Sequence, residues 1–99
     1  MAYGGSVYIL TNKNRTTLYT GVTSDLGARL RQHRDKAFPN SFTARYNVTL
    51  LVYVEHFPSI EEAMQREKAI KAKTRVNKEK LINSVNPNWD DLANEVLNW

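Results

Sequence analysis

The chain contains no cysteine, and it has only three prolines and four glycines among its 99 residues. The absence of cysteine excludes disulfides and thiolate-bound metals, and it is compatible with the cytoplasm. No apolar run approaches the roughly 20 residues that span a bilayer, so no membrane partner is expected. The first residues lack a basic segment followed by an apolar one, which predicts no signal peptide. We therefore expect a cytoplasmic protein.

Size and charge favour one small domain with a polyanionic partner. A hydrophobic content of 41% suits a single domain over residues 1–99 with a modest core. All 14 basic residues lie within positions 13–80 with seven acidic ones, a balance of +7, whereas the C-terminal end carries three acids. Such a basic body predicts nucleic-acid binding. Ordinary lysine-rich helix surfaces are the alternative explanation.

The N-terminal third of the chain predicts a β-hairpin. Residues 5–11 and 17–23 are rich in β-branched and aromatic types, and a four-residue polar turn is expected at 12–15. In that register Tyr8 and Tyr19 stand opposite each other and share one face. Ordinary cross-strand packing is the alternative reading of this pair.

The rest of the chain predicts one more strand and several helices. A first helix capped by Ser24 or Asp25 runs to about Lys36, and residues 37–47 form a loop. Residues 48–57 are largely apolar, which is typical of a central strand covered on both faces. The whole pattern predicts an α+β fold with a small three-stranded sheet flanked by helices.

The C-terminal half is expected to be helical. The capping box that begins at Ser59 opens a helix to about Lys73, and Asn77 is expected to cap a shorter one. The last segment, residues 88–99, places four apolar side chains on one stripe, namely Trp89, Leu92, Val96 and Trp99.

Charged residues interrupt the apolar stripes of both main helices. Glu67 lies within the stripe formed by Ile60, Ala63, Met64 and Ile70. A carboxylate there costs several kcal/mol unless it is paired, hydrogen-bonded or metal-bound, and a structural salt bridge is the alternative to a site. In the first helix Arg29 and His33 are four residues apart and neighbour each other on one ridge.

Phosphodiester hydrolysis needs these residue types. A carboxylate can hold one Mg²⁺ through few protein contacts, because the ion retains several waters. An arginine binds phosphate oxygens through its planar fork, and a tyrosine becomes a usable base where its surroundings favour the phenolate. The spacing shows only that Tyr8, Tyr19, Arg29, His33 and Glu67 are able to converge.

These same residues resemble the paired signature of the GIY-YIG nuclease superfamily. The resemblance covers nearly the whole chain and is strongest to small stand-alone bacterial members. It is carried by Val7-Tyr8, Tyr19-Thr20-Gly21, Arg29, His33, Glu67 and the echoes Phe42-Thr43-Ala44-Arg45-Tyr46 and Asn86-Pro87-Asn88-Trp89. Ser6-Val7 and Thr20 depart from the name motif, but β-strands tolerate these substitutions.

The resemblance implies a metal-dependent endonuclease that cuts one strand of DNA. We expect its substrate to be branched, flapped or damaged DNA, or a protein partner to target it to DNA. It implies catalytic roles for Tyr8, Tyr19, Arg29 and His33, with Tyr8 favoured as the base, and binding of Mg²⁺ or Mn²⁺ by Glu67. Predicted nucleic-acid contacts are Arg45, Lys71, Lys73 and Asn86. Asn86 stands for the family's late asparagine, and a helix-end role is its alternative.

Two other functions stay open at this point. A non-catalytic nucleic-acid-binding module on the same fold predicts salt-sensitive binding without turnover. A protein-interaction domain rests on Trp89 and Trp99, whose alternative role is to close the core.

Overall fold

The computed structural model describes residues 4–97, which form one antiparallel sheet with helices on both faces. The strands are β1 (Gly5–Thr11), β2 (Leu18–Thr23) and β3 (Leu50–Phe57), in the order β2-β1-β3. The helices within these residues are α1 (Leu26–Arg34), α2 (Phe42–Arg45), α3 (Ile60–Lys71), α4 (Arg75–Val85) and α5 (Ala93–Leu97). The predicted α+β class and three-stranded sheet are confirmed.

The central strand is β1, so the prediction of a central third strand is wrong. Every residue of β1 is buried and it pairs with both other strands, whereas β3 is an edge strand. The C-terminal segment covers the outer edge of β3, because Leu92 N–H donates to the Leu51 carbonyl at 2.7 Å and Leu51 N–H donates to Asp91 Oδ1 at 3.0 Å. This cover explains the apolar sequence of an edge strand.

Side chains of β1 alternate between two apolar clusters, one on each face of the sheet. Val7 and Ile9 pack with α3 and α4 through Ala63, Ile70 and Ile82. Tyr8 and Leu10 pack on the opposite face with α1 and α5, through Leu26, Leu30 and Val96. The sheet therefore separates α1 from α3.

The hairpin closes around six residues rather than four, which corrects the predicted register. Leu18 pairs with Thr11, so Tyr8 lies opposite Gly21 and Tyr19 lies opposite Leu10. The cause is the Asn12 side chain, whose Oδ1 accepts from the backbone N–H groups of Thr16 and Thr17 at 2.8 and 3.2 Å. An Asx-type bond of this kind replaces the shorter turn. The shift is two residues, so both tyrosines still share one face.

Three predicted helix starts can be compared with the structure. Asp25 caps α1 and Ser59 caps α3, accepting from Ala28 N–H at 3.1 Å and Glu62 N–H at 3.2 Å. Thr74 rather than Asn77 caps α4. The predicted 37–47 loop contains the single turn of α2, which Ser41 caps. None of the helices within residues 4–97 has the length and hydropathy of a membrane span.

The predicted C-terminal stripe is divided between the two faces of the sheet. Leu92 and Val96 pack near Tyr8, but Trp89 packs against the opposite cluster. Trp89 has a φ of 54°, which ends any regular helix at that point. Its indole N–H donates to Asn83 Oδ1 at 2.6 Å. Trp99 lies outside the described residues.

Candidate active site

The pairing of β1 with β2 and the position of α1 bring four predicted site residues together. Tyr8 and Tyr19 have ring centroids 6.3 Å apart, and His33 lies 5.8 Å from the first ring and 5.7 Å from the second. Because Leu26 and Leu30 anchor α1 on this face, Arg29 and His33 extend along the edge of the same cluster. The helix stripe thus positions its polar residues beside the tyrosines.

Gly21 is the residue that makes room for Tyr8. A Cβ atom at position 21 would lie 2.4 Å from Tyr8 Cζ and 2.5 Å from its hydroxyl oxygen. The φ of Gly21 is not in the left-handed region, so the requirement is space and not backbone conformation. The Tyr8 ring therefore lies against bare backbone of β2, which directs its hydroxyl toward α1.

A short hydrogen-bonded chain runs from Tyr8 to α2. The Tyr8 hydroxyl lies 3.0 Å from His33 Nε2, and His33 Nδ1 lies 2.9 Å from Thr43 Oγ1. When the phenol donates to Nε2, Nδ1 carries the ring proton and donates to Thr43. Thr43 is buried, and its Oγ1 lies 3.4 Å from Ser41 Oγ. The α2 turn therefore orients the imidazole.

Burial shifts the pKa values of both Tyr8 and His33. Burial raises the pKa of Tyr8, which is only 1% exposed, and the neighbouring Tyr19 phenol raises it further, whereas Arg29 lowers it. Burial also lowers the pKa of His33 below 6.5, and the Arg29 guanidinium acts in the same direction. At neutral pH a protonated phenol therefore faces a neutral imidazole.

A cavity of about 210 Å³ opens beside the hydrogen-bonded residues Tyr8, His33 and Thr43. Tyr19, Arg29 and His33 line it, whereas Tyr8 lies behind them. Its remaining walls come from the end of α1 and the segment leading into α2, namely Gln32, Lys36, Phe38, Ser41, Phe42 and Thr43. The basic side chains of Arg29 and Lys36 and the neutral imidazole of His33 therefore face a space open to solvent.

Glu67 is near this group but outside the cavity. It lies on α3, across the sheet from α1, and its carboxylate adds to the raised pKa of Tyr8. The side chain is 14% exposed, and Oε2 pairs with Lys71 Nζ at 3.1 Å. This pair matches the salt-bridge alternative for Glu67. Within residues 4–97, no cluster of three histidine or carboxylate side chains forms a metal site.

The predicted nucleic-acid contacts divide into surface and buried residues. Arg45 and Lys71 are exposed, and Lys73, two residues after the end of α3, is partly exposed. Asn86 is 6% exposed, and its amide bonds the Val52 carbonyl and both backbone groups of Asp90 at 2.9–3.1 Å. It caps α4, which matches the helix-end alternative.

Thr43 and Lys36 line the cavity but carry little sequence signal for a role there. Thr43 lies four residues after Pro39 within a segment expected to be loop, and only the Ser41 cap would have predicted its helical turn. Lys36 has a φ of 51° and lines the cavity two residues after α1 ends. A lysine with a left-handed backbone conformation at a helix end gives no distinct sequence signal, because glycine and asparagine are the usual residues in that conformation.

The chain is similar to a known catalytic domain and to a group of small proteins. The GIY-YIG catalytic domain model matches residues 4–80 of the chain. A UPF0213 protein of Natronomonas pharaonis is 38% identical over 82 residues, covering 83% of this chain and 94% of that protein. A UPF0213 protein of Staphylococcus haemolyticus is 40% identical over 76 residues, with coverage of 77% and 90%.

A solved structure supports the fold. The solution NMR structure of a UPF0213 protein from Bacillus halodurans superimposes with a TM-score of 0.57 at 32% sequence identity. The match covers 88% of this chain and 90% of that one. The sheet and its flanking helices therefore have an experimental counterpart.

Proposed function

Because this chain belongs to the GIY-YIG catalytic domain family, which is a nuclease family, we propose that it is a divalent-metal-dependent endonuclease that hydrolyses DNA. The observation that carries the proposal is the 3.0 Å contact between the Tyr8 hydroxyl and His33 Nε2, next to Tyr19 and Arg29 at an open cavity. Structured or damaged DNA is the proposed substrate, with DNA repair or recombination as the setting.

Arg29 is proposed to bind the scissile phosphate. Its side chain lines the cavity, and no carboxylate within residues 4–97 lies at ion-pair distance from it. A guanidinium that is free of a carboxylate partner offers its planar fork to two phosphate oxygens. Charge on the pentavalent transition state is stabilised by the same contact.

The phenol pair and His33 are proposed to remove the proton of the attacking water. Tyr19 contacts the water, since it lines the cavity whereas Tyr8 is 1% exposed. The raised pKa of Tyr8 disfavours a free phenolate, so Tyr8 passes its own proton to His33 Nε2 as it receives another. The proton that Tyr8 receives comes from Tyr19, which takes up the proton of the water. The water oxygen bonds to phosphorus, the bond to the leaving oxygen breaks, and the leaving oxygen takes up a proton from solvent, to which His33 then releases the proton that it gained.

Glu67 is proposed to hold Mg²⁺ or Mn²⁺. Its oxygens are the hard ligands that these ions prefer. One of them, Oε2, already binds a cationic group, because it lies 3.1 Å from Lys71 Nζ. One carboxylate fits Mg²⁺, which binds commonly through one or two carboxylates, phosphate and water. When bound, the ion supplies Lewis-acid stabilisation of phosphate charge. Lys71 would then be released to contact DNA together with Arg45 and Lys73.

Separate phenylalanine variants of the two tyrosines test the proton path. In single-turnover cleavage with Mg²⁺, Tyr8→Phe and Tyr19→Phe should each lower the rate roughly 10²-fold or more, but unequally. Tyr53→Phe is the matched control, because Tyr53 donates to Glu55 Oε1 at 2.9 Å on the other face of the sheet. Loss of activity in the control equal to that in Tyr8→Phe would contradict a specific role for the site.

A further inference from the structure

Three aromatic rings are exposed at one side of the cavity. Phe38, Phe42 and Tyr46 are 57%, 48% and 50% exposed, and we call these residues the aromatic rim. They lie within a stretch of nine residues, on the segment that carries α2. Large apolar rings clustered at a functional cavity mark a binding surface more often than scattered ones do.

The rim continues a row of rings that begins at the catalytic group. Phe42 stacks on Tyr19 with centroids 6.3 Å apart and an interplanar angle of 27°, and Tyr46 lies 4.9 Å from Phe42. Phe38 lines the same cavity as Arg29, and it makes no ring contact with another residue in the range 4–97. Its ring faces are therefore available to a ligand that reaches the cavity.

Charge around the rim selects a polyanion as the ligand. The Arg45 guanidinium lies 5.9 Å from the centroid of the Tyr46 ring, and Lys36 lines the cavity beside Phe38. No acidic residue occurs between positions 36 and 54. Exposed aromatic faces interleaved with cations are the combination that proteins use to bind single-stranded nucleic acid.

We propose that the aromatic rim is a nucleobase site, in which Phe38 and Phe42 stack on one unpaired base of DNA next to the phosphate bound at Arg29. This inference rests on the proposed function and specifies its substrate. A base inside a duplex has both faces covered by its neighbours, so only an unstacked base can use the site. The enzyme therefore requires an unpaired nucleotide beside the scissile bond.

Binding without cleavage tests the site. Fluorescence anisotropy is measured with the Glu67→Gln protein, without metal, on a labelled oligonucleotide whose bases are replaced one at a time by abasic residues. We expect one position at which the abasic residue weakens binding on the order of tenfold. Phe38→Leu or Phe42→Leu should weaken binding to the intact strand by a similar factor and abolish the difference at that position.

The control is Val85→Ala, which changes an apolar side chain that is 64% exposed on α4. Equal abasic effects at every position, or rim variants that bind like the control, overturn the proposal. So does tight binding to a fully paired duplex, or sedimentation of the wild-type chain as a dimer that the rim variants no longer form. The assay needs no turnover. Position-dependent binding by a protein that never cleaves DNA would therefore support the nucleobase site and contradict the proposed nuclease activity.

Discussion

The Tyr8 hydroxyl and His33 Nε2 lie 3.0 Å apart although 25 residues separate them in the chain. The contact depends on three features: a strand that buries Tyr8, a glycine that leaves room for its ring, and a helix anchored on the same face. Each feature can be altered separately, and each alteration has a distinct expected outcome.

Replacing Gly21 with alanine should displace the Tyr8 ring. The new Cβ atom would lie 2.4 Å from Tyr8 Cζ, so we expect a loss of about 1–3 kcal/mol in the free energy of unfolding in urea. Gly27→Ala is the control, because the nearest atom to its new Cβ would be 3.5 Å away and helical alanine is favoured over glycine by roughly 0.5–1 kcal/mol. Equal stability of the two variants would contradict the close packing of Tyr8 on Gly21.

Thr43 should act as a positioning residue through His33. Thr43→Val keeps the shape but removes the oxygen that lies 2.9 Å from Nδ1, so the ring proton moves to Nε2 and the imidazole cannot accept from Tyr8. Nitrogen NMR of His33 should report the changed tautomer, and the cleavage rate should fall about tenfold or more. Thr43→Ser should restore both. A lower melting temperature with an unchanged tautomer would assign Thr43 a packing role alone.

The pKa of His33 should lie below 6.5, and Arg29→Gln should raise it. Burial and then the Arg29 charge both disfavour the imidazolium, and removal of the charge leaves only burial. Proton NMR titration of the His33 ring measures this without any need for activity. An unchanged His33 pKa in Arg29→Gln would show that the guanidinium does not act on the imidazole.

Stability should also fall in acid because of this shift. Between pH 6.5 and the lower folded pKa, the unfolded chain binds a proton that the folded His33 does not. The free energy of unfolding therefore decreases as the pH falls through that window. His56, whose pKa burial also lowers, adds to the loss, so the slope should become smaller in His33→Gln but not disappear.

Asn86 should contribute to stability and not to DNA binding. Its amide makes three hydrogen bonds to backbone atoms of Val52 and Asp90, so Asn86→Ala should cost about 2–4 kcal/mol in chemical denaturation. Asn94→Ala, at an exposed position of α5, should cost less than about 0.5 kcal/mol. Weaker DNA binding with unchanged stability would instead support the contact that the sequence predicts.

The sequence predicts those parts of the fold that depend on local interactions. Asp25 and Ser59 are recognisable helix caps because their partners lie three residues away. The order of the strands depends on distant contacts, such as the bond from Leu92 N–H to the Leu51 carbonyl, which no local pattern contains. The hairpin register depends on which backbone groups the Asn12 side chain binds. The sequence pattern does not show this, so it does not distinguish a turn of six residues from a turn of four.

The site was predictable to a similar extent. Arg29, His33 and Glu67 are recognisable as candidates because they lie on apolar helix stripes. Burying a charged or polar side chain there costs free energy unless it has a partner. The sequence does not show that Tyr8 is covered while Tyr19 faces the cavity, because both alternate onto the same face. Nor does it show Thr43 beside His33, since α1 and α2 meet only through the tertiary fold.

The most direct test of a metal-dependent nuclease is cleavage of DNA that carries an unpaired flap, with and without Mg²⁺, by the wild-type chain and by Glu67→Gln. Glu61→Gln is the control, because Glu61 is exposed on the same helix. We predict Mg²⁺-dependent cleavage that Glu67→Gln reduces roughly 10²-fold or more and Glu61→Gln leaves unchanged. Cleavage undiminished in Glu67→Gln, or salt-sensitive binding with no cleavage under any divalent ion, would contradict the proposed function.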